Sequence, residues 1–439
     1  MPDRKEYSLS LFAKAFLINC GATAGTLIAT VQTIVLSRVL GPHSIGQYAL
    51  AVSMLSLGST VFAFGYPLSF LYFAKQPHAR KNDYFTAAFI MLSLIGLIGG
   101  ILFAGLFYTL RGYFGDFKLL TLFAIAVYSP LALLRVLFRN HLLVDIQAKK
   151  ITLVELIAVG CSAAMVLAAW MLDRLTVDVA VISFVAATTM RALVGWTWIR
   201  KEISFSPVFG LKLFAPLSRM GAKQLWPDLV IMANEQIGII LLKLLLDGFD
   251  EVGFYSRALS ISMLFNLASQ AVMPVLFSRW AELSGTTLEA HIEKVLRFAT
   301  TFSLGLALGL IAWGEWIVVL LYGPTFIPAV PALRILSIGA ACAMLNRTFM
   351  QLLGGRGMPE KGTFILSTGF IVSAIANMAL IPWMGMVGCA TASAGAQLMM
   401  TFMFMAHARK FFQLKARNCA LINRRDWLQF LNSLRMSVR

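Results

Sequence analysis

The chain has 439 residues, of which 59% are hydrophobic and only 13% charged, and its mean hydropathy is +0.78. That balance excludes a soluble globular domain and indicates a polytopic helical membrane protein. The formal charge of +17 raises the question of a nucleic-acid surface, and the placement of the charges answers it.

A spanning helix needs about 20 mostly apolar residues. In chain order, the apolar stretches predict spans near 12–36, 45–73, 84–108, 119–138, 151–171, 179–199, 220–242, 253–278, 298–321, 329–353, 362–382 and 386–406. The fold class expected is all-α integral membrane, with about 12 transmembrane helices in two six-helix bundles related by a parallel repeat.

With the N-terminus taken as cytoplasmic, the segments facing the cytoplasm hold 25 Lys and Arg residues. The opposite loops hold five: Arg38, Arg111, Lys118, Arg174 and Lys243. Basic residues flanking spans are retained inside, so this bias puts both termini in the cytoplasm. Most of the positive charge is therefore topology, and no nucleic-acid partner is expected.

The first span carries Asn19, Thr23, Thr26, Thr30 and Thr33 at steps of four and three, a hydroxyl-bearing stripe along one face. Such a stripe suits a hydrated path for sugars; Thr side chains can equally bond their own helix or support close helix packing. Ser262, Asn266 and Ser269 form a shorter version in the eighth span.

Shifting the sequence by 207 positions aligns Gly41, Gly46, Tyr48, Ala51, Ser53, Leu57, Pro67 and Phe70 with Gly248, Gly253, Tyr255, Ala258, Ser260, Leu264, Pro274 and Phe277. The shift maps the second span onto the eighth, which preserves orientation and gives two parallel repeats with a substrate site between them. The domains expected are an N-terminal six-helix bundle at 1–205, a C-terminal six-helix bundle at 206–410, and a basic cytoplasmic tail at 411–439. In that tail Trp427, Leu431, Leu434 and Val438 share a face, the pattern of an interfacial amphipathic helix. A disordered basic tail is the alternative.

The five cysteines and five histidines are scattered without ligand spacing, so no metal site is expected. No GxxxxGK[ST] phosphate loop occurs, no cofactor is expected, and the charged start runs into a full-length span without a cleavable-signal pattern. Loops are short, which argues against an enzyme.

Four segments carry a family resemblance: VLSRVLGPHSIGQYALAVSM (35–54), EQIGIILLKLLLDGFDEVGFYSRALSI (235–261), LLYGPTFIPAVPALRILSIGA (320–340) and LLGGRGMPEK (352–361). They resemble the oligosaccharide-lipid flippases of the polysaccharide biosynthesis family, in the multidrug, oligosaccharidyl-lipid and polysaccharide exporter superfamily. The resemblance covers roughly residues 10–410 and implies a twelve-helix transporter of the inner (cytoplasmic) membrane. It would move a polyprenyl-diphosphate-linked oligosaccharide from the inner to the outer leaflet for O-antigen, capsule or exopolysaccharide assembly. The partners implied are that lipid-linked oligosaccharide and membrane lipid, with the polysaccharide assembly machinery as a further candidate.

Inside the spans lie seven basic residues, Lys14, Arg135, Arg191, Lys223, Arg257, Arg334 and Arg347, against four acids, Glu155, Asp228, Glu235 and Glu315. An ionised group at mid-membrane costs at least about 2.5–3.5 kcal/mol, so it faces a partner or a watery cavity. The surplus of positives suits a lipid diphosphate, whose oxygens match the guanidinium fork. Arg135 and Arg347, the deepest, are the leading headgroup candidates; Lys14, Lys223 and Arg191 sit near cytoplasmic ends where they can snorkel. Glu155 reads as interfacial. Glu235 lies mid-span with Asp228 two turns earlier beside Pro227, which suits coupling to H+ or Na+, with a static salt bridge as the rival. An organic-cation antiporter of the same superfamily is the alternative function, and a membrane glycan polymerase the enzyme alternative.

Overall fold

The computed structural model describes residues 4–76, 80–205, 211–264 and 285–412, with Leu276, Trp280 and Leu283 between the last two stretches. The expected tail helix, and Asn266 and Ser269 of the shorter stripe, lie outside the described residues.

The first helix, α1, is assigned over Arg4–Ala63, 60 residues. A straight helix of that length would run about 90 Å, three times the hydrocarbon thickness. Gly41 breaks it, with φ 73° and ψ 175°, a conformation only glycine adopts without strain, and Pro42 follows. The first and second expected spans thus share one assigned helix. A second break, absent from the sequence expectation, falls inside the second span. Phe64 and Gly65 both have positive φ, and α2 (Tyr66–Ala74) starts there with Pro67 in its first turn.

Next come α3 (Lys81–Thr109), the short α4 (Arg111–Phe114), α5 (Leu119–Val144), α6 (Ala148–Met171) and α7 (Val177–Ile199). They are followed by α8 (Leu211–Leu245), α9 (Asp250–Ser262), α10 (Gly285–Tyr322), α11 (Val330–Gly355) and α12 (Pro359–Phe412). A 3-10 turn, Pro324–Ala329, leads into α11. Like α1, α12 holds two expected spans, divided at Gly385 with φ 57° and ψ −135°. Among the described residues, eight helices are long and apolar enough to cross a membrane, α1 and α12 counting once each. The protein is all-α and multi-pass.

Two compact units form. One comprises Met1–Ser256 with Leu321–Phe326, the other Arg257–Leu320 with Ile327–Arg439. Within the first unit α8 packs on α1 and α2. Close approach of backbones explains part of that packing. A Cβ on Gly65 would stand 2.5 Å from Gly221 O, and one on Gly221 would stand 2.4 Å from Phe64 O. Without side chains at either position, the α1–α2 corner seats directly on α8. Helices α3 and α5 meet by the same device: a Cβ on Gly100 would lie 2.1 Å from Ala126 O. The core of the first unit gathers Phe70, Phe85, Leu133 and Leu137; that of the second gathers Trp280, Ile292, Phe349 and Phe404.

Candidate functional site

A cavity of about 600 Å3 opens within the first unit, walled by α1, α2, α5, α7 and α8. Three sequence candidates line it: Arg135 from α5, Arg191 from α7 and Asp228 from α8. The other polar lining is neutral and comes from Ser56, Ser59, Thr60, Asn140 and Thr188, with Tyr128 and Phe184 as aromatic wall.

Arg135 is the group with unused capacity. Its Nε is buried without a hydrogen-bond partner, and the side chain forms no ion pair among the described residues. A buried donor left unsatisfied costs about 1–3 kcal/mol, and hydrogen bonds from a guanidinium are strongest to an ionised acceptor.

Arg191 is differently placed. Its Nε donates to Glu155 Oε2 at 2.9 Å and its second terminal nitrogen to Glu155 Oε1 at 2.6 Å. Glu155 is half-buried and clamps Arg191 with two parallel bonds. Arg135, Arg139, Arg191 and Glu155 line a small adjoining void of about 50 Å3. Across the two spaces three arginines face two carboxylates, so the positive surplus persists but is narrower than the count over all spans.

Asp228 accepts a hydrogen bond from Gln224 Nε2 at 3.1 Å. Glu235, seven residues on, is half-buried on the same helix and does not line the cavity. Asn140 Nδ2 donates to Pro67 O at 2.8 Å, tying α5 to α2 at the cavity wall.

The remaining candidates lie elsewhere. Lys14 is exposed on α1. Lys223 is exposed and, with Arg219, lines a separate cavity of about 400 Å3 beside Phe73 and Pro216. Arg257, Arg334 and Arg347 belong to the second unit, where Arg257 is buried, Arg347 half-buried and Arg334 exposed. None of Asn19, Thr23, Thr26, Thr30 and Thr33 lines the cavity of Arg135. Thr26 Oγ1 donates to Ala22 O and Thr30 Oγ1 to Thr26 O, each at 2.9 Å, so those two protons serve their own helix.

Sequence reasoning missed two features. Ser56, Ser59 and Thr60 recur at i, i+3 and i+4 and could have been found by their spacing. Gln32, beside the Thr stripe, donates to Ser162 Oγ at 2.9 Å and Ser183 Oγ at 3.2 Å, joining α1 to α6 and α7.

Comparison with known proteins places this geometry. Residues 11–280 match the family described as polysaccharide biosynthesis protein. Over 119 residues the chain is 30% identical to an uncharacterized membrane protein of Methanocaldococcus jannaschii, a match spanning 27% of this chain and 24% of that protein's length. Among solved structures, the lipid II flippase MurJ in an inward closed conformation superposes with a TM-score of 0.77 at 13% identity, over 92% of this chain and 89% of that one. An inward-facing multidrug resistance MATE family transporter of the MOP superfamily gives 0.72 at 14% identity, over 89% and 96%. A MOP superfamily transporter from Pyrococcus furiosus, titled for the reverse polarity of its binding pocket, gives 0.66 at 12% identity, over 91% and 95%. At these identities the structural likeness establishes the fold, that of MOP superfamily transporters, and the family match over residues 11–280 establishes that this chain belongs to the polysaccharide biosynthesis protein family.

Proposed function

We propose that this transporter flips a polyprenyl-diphosphate-linked oligosaccharide from the inner to the outer leaflet of the cytoplasmic membrane, with both termini in the cytoplasm. The observation that carries the reading is Arg135, a cavity-lining guanidinium whose Nε is buried and unbonded. A diphosphate supplies the acceptors it lacks, and the neutral hydroxyls and amide of Ser59, Thr60, Asn140 and Thr188 suit sugar hydroxyls. The prenyl tail stays in lipid while the headgroup crosses, and alternating access exposes it outward. Arg347 is proposed as a second headgroup contact, and Asp228 with Glu235 as the carboxylates available for coupling to H+ or Na+.

Asp228 also favours a second reading. A carboxylate at the wall of the same cavity would receive an organic cation, as an antiporter requires. Cell-surface display separates the two. In cells dependent on this chain for surface polysaccharide, Arg135→Ala should sharply reduce display at normal protein abundance, whereas Asp228→Asn should retain the glycan's passage when an ion gradient is not limiting. Full display by Arg135→Ala, with loss of cation resistance in Asp228→Asn, would favour the antiporter.

A further inference from the structure

In the second unit, α12 doubles back at Gly385, so its first and last turns lie side by side. Between them runs a groove of about 590 Å3. Its floor is apolar, formed by Phe364, Ile365 and Met403, and its rim carries Lys361, Lys410 and His407, with Glu360 as the one acid. Phe364 remains 68% exposed, so the floor of the groove is open on that side.

The rim is organised around one aromatic ring. Lys361 Nζ stands 3.6 Å from the centroid of Phe411, and the His407 ring stacks on the same side chain at 4.4 Å. Lys361 Nζ also donates to Met358 Sδ at 3.4 Å, a weak acceptor. Neither Lys361 nor Lys410 forms an ion pair with Glu360 or any other acid among the described residues. His407 Nε2 is buried without a hydrogen-bond partner. Two ammonium groups thus stand on the rim of an apolar trough, with the His407 ring beside them.

We propose that this groove holds one acidic phospholipid, its acyl chain along Phe364, Ile365 and Met403 and its phosphate at Lys361 and Lys410. The choice of occupant follows from the two halves of the site. A soluble anion would satisfy the rim and leave the floor bare, whereas a zwitterionic lipid would fill the floor and bring its own cation against the lysines. An acidic phospholipid matches both, and lysines near an anionic membrane surface each favour such a lipid. No residue of the groove lines the cavity of Arg135.

Native mass spectrometry of the delipidated full chain tests the assignment, with phosphatidylglycerol, phosphatidylcholine or inorganic phosphate added. The expected result is one phosphatidylglycerol retained in preference to phosphatidylcholine and not displaced by phosphate. Lys361→Ala with Lys410→Ala should weaken that retention by roughly 30-fold, at about fivefold per lysine. Met403→Trp, which fills the trough without altering charge, should reduce it as well and serves if the lysine variant does not fold. Equal retention of the two lipids, unchanged retention in both variants, or displacement by inorganic phosphate would overturn the proposal.

Discussion

His43 Nδ1 lies 3.4 Å from Asp250 Oδ2, and the two residues are 207 positions apart, the offset that aligns the two halves of the sequence. The contact is one of a set. A Cβ on Gly46 would stand 2.0 Å from Phe249 O, and a Cβ on Gly253 would stand 2.0 Å from Pro42 O. Gly46 and Gly253 stand 207 positions apart in the sequence, as do Pro42 and Phe249. All of these contacts lie within the first compact unit.

That crossing should be intolerant of a single methyl group. Gly46→Ala and Gly253→Ala would each place a carbon against a backbone carbonyl, which cannot rotate away as a side chain can. Each is expected to cost about 1–3 kcal/mol, the range for overpacking, and to lower the melting temperature in detergent. Unchanged melting in both variants would contradict the backbone approach described.

Arg135→Ala should reduce lipid-linked oligosaccharide translocation roughly 10- to 100-fold, because each hydrogen bond to a charged partner contributes about 1.5–3 kcal/mol. Arg135→Lys should recover only part of this, since an ammonium lacks the planar fork. Initial translocation rates, normalised to inserted protein, measure both.

Glu155→Gln should act on stability first. The Arg191 and Glu155 side chains are 18% and 35% exposed, so the loss should fall below the roughly 3–5 kcal/mol of a fully buried broken pair, at about 1–3 kcal/mol. Replacing both with apolar residues, Arg191→Met with Glu155→Leu, should recover much of it. A double-mutant cycle of melting temperatures measures the coupling; additive single losses would exclude the pair as a unit.

Outside the spans, Glu202 gives a pH dependence. Partial burial would raise its carboxyl, but the hydrogen bond from Lys150 Nζ at 3.0 Å and that lysine's charge hold it below the ordinary glutamate value. A depressed folded value means the stabilisation is present above the unfolded value of about 4.3 and is lost as pH falls through the folded one. The pair is solvent-accessible, so the effect is under ~1 kcal/mol. Melting curves between neutral and acid pH should show a shallower acid loss in Glu202→Gln than in the parent chain.

The spans were legible in the sequence because length and apolarity are what a bilayer demands of a helix. The break at Phe64 and Gly65 was not, since it lies inside an uninterrupted apolar stretch and only Gly65 with Pro67 marks it. Arg135, Arg191 and Asp228 stood out because charge within a span requires a reason. Their division of labour did not: the pairing of Arg191 with Glu155 joins residues 36 positions apart on different helices, which no local pattern encodes. The neutral lining of Asn140 and Thr188 was equally silent, as one amide or hydroxyl on a helix has the same signature whether it faces a cavity or packs.

Leaflet translocation in proteoliposomes, with a labelled polyprenyl-diphosphate oligosaccharide and with or without an ion gradient, tests the central claim most directly. The expected result is protein-dependent movement that slows roughly 10- to 100-fold when Arg135 is replaced by Ala. Absence of movement by the parent protein, together with gradient-driven efflux of an organic cation that depends on Asp228, would contradict it.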